Sequence, residues 1–202
     1  MAHSNISVFV PHIGCPNKCS FCNQRYITGT FKAPRISDVK SAISVAKKSP
    51  KYNPLVTEIA FFGGSFTMIE KDYMISLLKS ATEFVNKGLA KSIRFSTRPD
   101  GITREILDEI KKYPVSTIEL GCQSMCDDVL LNSRRGHDTA TAERACKMIK
   151  KRGFSLIGQM MIGLPGSDIQ KELETAEKIS ALGADGARVY PTVIFYNTEL
   201  CE

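Results

Sequence analysis

Three cysteines fall close together in the stretch "GCPNKCSFC", at Cys15, Cys19 and Cys22. Thiolates at this spacing are candidate metal ligands, because soft sulfur donors select zinc, copper(I) or iron–sulfur clusters. The chain holds 7 cysteines in all, an odd number that suits a disulfide framework badly. In the cytoplasmic setting expected from the lack of a membrane span or secretory signal, thiols stay reduced and clustered cysteines bind metal or do chemistry. A structural zinc ion needs four ligands, and His12 is the nearby candidate for the fourth. A cubane iron–sulfur cluster on three cysteines differs in leaving one iron without a protein ligand and so open to chemistry. The spacing alone leaves both readings open.

Such a loop needs a scaffold to hold it. The 202 residues, 43% hydrophobic and 24% charged, are enough for a substantial core and are expected to form one domain over 1–202. No stretch approaches the roughly 20 apolar residues of a membrane helix, and the N-terminal run is too short for a secretory signal, so no membrane association is expected. The net charge of +6 is moderate. Lys47, Lys48, Lys111, Lys112, Lys150 and Lys151 fall near the ends of expected helices, where cations complement the negative pole of the helix. Basic and aromatic residues interleave only at Arg25 and Tyr26, so the charge permits nucleic-acid binding without indicating it.

Apolar runs of strand length alternate with helical patterns. Strands are expected at 6–10, 56–62, 92–96, 116–121, 154–162 and 186–191. Between the second and third, Ile69, Tyr73, Met74, Leu77, Leu78, Ala81, Phe84 and Val85 share one face of a helix. Ser167 followed by Gln170 predicts a capping-box start for another helix, running to about residue 182, with Gly183 as its left-handed stop. Gly153 and Pro114 mark earlier helix exits. The alternation predicts an α/β fold with a parallel sheet. Polar or glycine-rich segments follow each expected strand: "GCPNKCSFC", "GGSF", "STRPD", "GCQS", "GLPG" and "YPT". A barrel brings loops at the carboxyl ends of its strands to one face, so all six segments would meet there. The expected fold is a partial (β/α)6 TIM-like barrel with the cysteine loop after its first strand.

CxxxCxxC after a first strand, with Phe21 just before the last cysteine, resembles the radical S-adenosylmethionine superfamily. "FFGGSFT", "STRPDGI", "IELGCQS", "RRGHD", "QMMIGLPG" and "RVYPT" follow in the order seen in the radical domain of the Elongator catalytic subunit and its short bacterial relatives. A more distant likeness is to oxygen-independent coproporphyrinogen oxidase. The resemblance implies a [4Fe–4S] cluster on Cys15, Cys19 and Cys22, S-adenosylmethionine on its open iron, and reductive cleavage to a 5′-deoxyadenosyl radical that abstracts hydrogen. It also implies a low-potential electron donor such as flavodoxin or ferredoxin.

By the same resemblance Phe21 packs near the adenine, with a loop-anchoring core role as its alternative. Gly63 and Gly64 let backbone approach the methionine amino group, where a side chain would intrude. Ser65 stands where many members carry glutamate, so the amine partner must come from elsewhere. Ser96 and Arg98 resemble contacts to the ribose or carboxylate; the plainer reading of Arg98 is a salt bridge at the barrel rim. Gln123 and Gln159 are expected inside the barrel, binding substrate or satisfying buried backbone. Arg188 and Tyr190 share one strand face and, if it is inward, close the pocket opposite the cluster. No residue is assigned as catalytic.

Other features are read more plainly. Cys122 and Cys126 are expected to act as small hydrophobes, and Cys146 and Cys201 have no partner at useful spacing. Arg134, Arg135 and His137 either contact phosphate or form a basic turn between two helices, and Met160 and Met161 are expected in the core. The Elongator resemblance implies tRNA wobble-uridine modification. Nothing here corresponds to the acetyltransferase-like domain of that subunit, and the end just after the sixth strand favours a fragment lacking a C-terminal extension. Two alternatives accompany this reading: a radical enzyme acting on a small metabolite or tetrapyrrole, and a non-catalytic iron–sulfur or zinc module.

Overall fold

The computed structural model describes residues 3–11, 13–16, 19–24, 29 and 32–202. Six parallel strands pair in sequence order: β1 (Ser4–Val10), β2 (Thr57–Gly63), β3 (Ser92–Thr97), β4 (Val115–Gln123), β5 (Ser155–Ile162) and β6 (Gly186–Pro191). They curl into the half-barrel expected from the alternation of elements. The helices are α1 (Ile36–Ala46), α2 (Lys71–Asn86), α3 (Arg104–Ile110), α4 (Asp127–Asn132), α5 (Thr139–Lys151) and α6 (Ile169–Ala181). Among the described residues no helix is long and apolar enough to cross a membrane.

Alternation along each strand separates two environments. Ile6, Val8 and Val10, Ile59 and Phe61, Ile93 and Phe95, and Ile118, Leu120 and Cys122 face the helices and form the core. Phe66, on the turn after β2, stacks between Phe61 and Phe95 with centroids 4.8 and 5.0 Å apart, which anchors the "GGSF" loop to the sheet. Gly158 is fully matched to its helix: a Cβ there would lie 2.3 Å from a methyl carbon of Ile179 on α6.

Helix boundaries follow local chemistry. Glu70 caps α2 by accepting from the backbone N–H groups of Asp72 and Tyr73 at 2.8 and 2.7 Å. Asp168, not Ser167, caps α6 by accepting from Lys171 N at 2.9 Å. The carboxylate is the better acceptor for the helix's positive end, and the Ser167 hydroxyl is left to bond Glu172 Oε1 at 3.3 Å. Gly183 has the expected positive φ of 83° beyond this helix, as does Gly153, at 79°, beyond α5. Lys47 and Lys111 cap the C-termini of α1 and α3, and Lys150 and Lys151 occupy the last turn of α5.

The inner face of the half-barrel is charged toward the amino ends of its strands. Glu58 on β2, Arg94 on β3 and Glu119 on β4 are at most 6% exposed. Arg94 Nε lies 3.1 Å from Glu58 Oε2 and its Nη1 3.1 Å from Glu119 Oε1. Glu119 also receives Arg188 Nε at 2.8 Å and Gln159 Nε2 at 2.9 Å. Ser92 and Ser116 each donate to Glu58 Oε1 at 2.6 Å. Burial pushes the Glu58 carboxyl up, but hydrogen bonds from Ser116, Ser92 and His3 with the Arg94 charge outweigh it and hold the group below its ordinary range.

Candidate active site

Where the strands end, loops and strand termini enclose a cavity of about 160 Å³. The loop after β1 contributes Cys15, Cys19, Phe21, Cys22 and Gln24 to its wall. The end of β2 adds Gly63 and Gly64, β3 adds Ser96 and Thr97 with Arg98 beyond it, and Gly121, Gln123 and Gln159 come from β4 and β5. Arg135, from the connection between α4 and α5, completes it.

The cysteine loop seats backbone against backbone, which requires glycine on both sides. A Cβ on Gly64 would lie 2.3 Å from Ile13 O, and one on Gly14 would lie 2.4 Å from Ser65 O. Gly64 N donates to Val10 O at 2.7 Å, and Gln24 Nε2 donates to Gly63 O at 2.7 Å. Ser20 N donates to Ser133 O at 3.2 Å and Leu200 N to Ser20 O at 3.2 Å, so the loop is tied at several points. Gly63, at φ 120°, turns the chain away from β2.

Three thiols line this cavity, and for Cys15 and Cys22 it disfavours the thiolate. Burial first, and then the neighbouring Cys19 and Cys15 sulfurs, push Cys22 up to about 11. Burial likewise raises Cys15, against the opposing charge of Arg98. Thiols so perturbed take up a cationic group with release of protons. Among the described residues no set of metal-ligating side chains converges as a single ion requires. Three thiols from one short loop, lining a cavity that Gly63 and Gly64 keep open, are a donor set suited to a cluster held by three cysteines. His12, the candidate fourth zinc ligand, lies outside the described residues, as do Arg25 and Tyr26.

Of the ten non-cysteine residues expected at a cofactor, Phe21, Gly63, Gly64, Ser96, Arg98, Gln123 and Gln159 line the cavity. Ser65 does not. Its hydroxyl is buried within 2.9 Å of Thr97 Oγ1 and accepts from Arg98 N at 3.2 Å, joining a polar knot that includes Thr67. Arg188 and Tyr190 also lie outside the lining. Arg188 is drawn toward the buried Glu119 carboxylate, with its guanidinium 5.6 Å from the Phe62 ring centroid. The "YPT" and "GLPG" segments do not reach the cavity wall. Four of the six expected segments meet at the cavity; β5 contributes Gln159 from within the strand and not through the loop after it.

Arg98 makes the rim salt bridge weighed for it and also approaches the cysteine loop. Nε and Nη2 donate to the two oxygens of Asp100 at 2.9 and 3.0 Å, a bidentate rim pair, while Nη1 reaches Cys19 Sγ at 4.0 Å. Arg135 is more than a basic turn: it is 6% exposed, with Nη1 3.2 Å from Cys19 Sγ and Nη2 donating to Gly121 O at 2.7 Å. Its role was obscured in sequence because a doublet of arginines beside glycine reads as solvated. Glu58, Arg94 and Glu119 carried a clearer signal, each being a charge in the middle of an apolar strand.

The chain matches the family model described as the Radical SAM superfamily over residues 9–179. It belongs to that superfamily. Radical SAM proteins are generally enzymes that bind a [4Fe–4S] cluster and S-adenosylmethionine. Over 72% of its length this radical SAM chain is 26% identical to Elongator complex protein 3 of Saccharomyces cerevisiae, covering 30% of that protein. Over the same share it is 25% identical to a tRNA uridine(34) acetyltransferase of Methanocaldococcus infernus, covering 31% of it. The chain thus spans under a third of these relatives. The structure of archaeal Methanocaldococcus infernus Elp3 superposes with a TM-score of 0.73 at 20% identity, covering 98% of this chain and 47% of that one, and shares its fold.

His137 borders the guanidinium pair, and both its ring nitrogens are sealed from solvent. Burial, then the charges of Arg135 and Arg98, lower its pKa to about 4. A folded-state value below the unfolded 6.5 means that the unfolded chain binds the extra proton. Stability from this group is full above pH 6.5 and is lost as the pH falls toward 4. The loss is expected to reach about 3 kcal/mol. Urea midpoints of wild type and His137→Gln, measured from pH 7 to 4, should converge on acidification; a constant difference would contradict the assignment.

Proposed function

We propose that the chain is a radical S-adenosylmethionine enzyme in which Cys15, Cys19 and Cys22 hold a [4Fe–4S] cluster whose remaining iron takes S-adenosylmethionine. The observation that carries this is the meeting of three thiols, three glycines and two guanidiniums in one cavity at the carboxyl ends of a parallel half-barrel. When bound, the cluster supplies one electron that cleaves the sulfonium to methionine and a 5′-deoxyadenosyl radical, which takes a hydrogen atom from the substrate.

The protein's part is to bind, orient and exclude water. Gly63 and Gly64 present backbone where a side chain would block the cavity. Gln123 holds a positive φ of 65° and a buried side-chain oxygen with no partner among the described residues, an acceptor suited to the cofactor's amino group. Phe21 and Ser96 offer a ring and a hydroxyl to the nucleoside. Arg188 and Tyr190, on the inner face beside Gln159, face the substrate side.

The substrate we propose is tRNA, at a uridine. The support is the similarity to a protein named for acetylating tRNA uridine 34 and the basic net charge of +6. We place the protein in the cytoplasm, as one radical domain over 1–202, reduced by a flavodoxin- or ferredoxin-type donor. Anaerobic reconstitution with iron and sulfide, followed by dithionite and S-adenosylmethionine, should give cluster absorption and 5′-deoxyadenosine. Their absence would overturn the enzyme reading. Affinity for tRNA should fall steeply with salt; an affinity indifferent to salt would overturn the RNA reading alone.

A further inference from the structure

We propose that Arg135, supported by Arg98, is a positioning residue that acts through Cys19 Sγ to raise the reduction potential of the cluster. The inference rests on the cluster placement proposed above. Its ground is a contact that neither the cysteine motif nor the superfamily match assigns.

Arg135 is aimed at the thiol by its backbone. It sits between Arg134 at φ 51° and Gly136 at φ 72°, both in the left-handed region, so the turn between α4 and α5 folds tightly around it. A non-glycine residue at positive φ is uncommon and needs surrounding contacts to hold it. Those contacts are present: Arg134 Nη2 pairs with Glu199 Oε1 at 2.8 Å, Ser133 O accepts from Ser20 N in the cysteine loop, and Arg135 O accepts from Arg98 Nη2. The Arg135 fork is then split between Gly121 O at 2.7 Å and Cys19 Sγ at 3.2 Å. Arg98 adds a second guanidinium at 4.0 Å from the same sulfur, itself fixed by both oxygens of Asp100.

The consequence for a redox group is directional. Reduction adds an electron to a cluster that already carries thiolate charge. A fixed cation in contact with one ligand sulfur stabilises the reduced form more than the oxidised one, and burial keeps solvent from screening the effect. Hydrogen bonds to cluster sulfurs and net charge are the levers that set such potentials. Arginine suits the task because it stays protonated and its planar fork spans the carbonyl and the sulfur together. Arg135 is nearer than Arg98, whose charge Asp100 partly offsets, and so carries the larger share.

The test is a potentiometric titration of the reconstituted full chain, followed by electron paramagnetic resonance, for wild type, Arg135→Lys, Arg135→Gln and Arg98→Gln. Arg135→Gln is expected to shift the reduction equilibrium at least tenfold toward the oxidised form, ~59 mV for one electron. Arg135→Lys should recover most of that shift, and Arg98→Gln should move the potential the same way by less. A midpoint in Arg135→Gln equal to wild type at equal iron content overturns the inference. If that variant does not retain iron, Arg98→Gln decides, and an unchanged or raised midpoint there overturns it. A wild-type chain that assembles no cluster would instead overturn the proposed function, so the two failures are distinct.

Discussion

Replacing Cys19 with alanine is expected to abolish cluster retention and 5′-deoxyadenosine formation while the half-barrel stays folded. The loss should exceed the ~10–100-fold that outer-shell partners of a metal site account for. Cys19 is the most enclosed of the three thiols, at 7% exposure, and it is where the loop is gripped by Arg98 and Arg135. Two remaining thiolates cannot close the coordination that three share. The fold should survive because the loop lies beyond β1, outside the apolar layer of Ile59, Phe61, Ile93, Phe95 and Ile118. Iron and sulfide content after anaerobic reconstitution and the far-ultraviolet circular dichroism of the unloaded protein check both halves. A Cys19→Ala protein with full iron content and turnover would refute the ligand assignment.

The largest effect on stability is expected at Glu119. Its carboxylate is fully enclosed and serves Arg94, Arg188 and Gln159 together. Glu119→Ala leaves Arg94, itself 6% exposed, with less compensation inside the half-barrel. Removing one partner from a buried ion pair typically costs about 3–5 kcal/mol, because the remaining charge is stranded away from water. Glu119→Gln should lose less, since the amide oxygen still accepts one hydrogen bond. Chemical denaturation of the unloaded proteins, with an unchanged m-value, measures both. A Glu119→Ala variant within about 0.5 kcal/mol of wild type, the range of ordinary surface substitutions, would show that the network contributes no stability.

Much of the architecture was readable in advance because it depends on local pattern. Strands at 186–191 and 155–162 have the bounds their apolar runs suggest to within one residue, and α2 follows the helical face of Met74, Leu77, Leu78 and Ala81. The start of α6 was displaced by one residue, since two adjacent capping side chains competed and the carboxylate of Asp168 prevailed over the hydroxyl of Ser167. Ser65, Arg188 and Tyr190 were expected at the cofactor and lie off the cavity wall. Two of the three have a partner distant in sequence: the Ser65 hydroxyl meets Thr97 Oγ1, and Arg188 pairs with Glu119.

By itself the sequence determined the cysteine motif and the order of strands and helices. These are matters of residue type and short spacing. Only the tertiary structure decided that Arg135 meets Cys19, 116 positions away, or that Glu58, Arg94 and Glu119 form one buried network across three strands. The physical reason is that an arginine's role is set by what lies opposite it. In a curled parallel sheet that neighbour comes from strand register and loop closure, which no short stretch of sequence encodes.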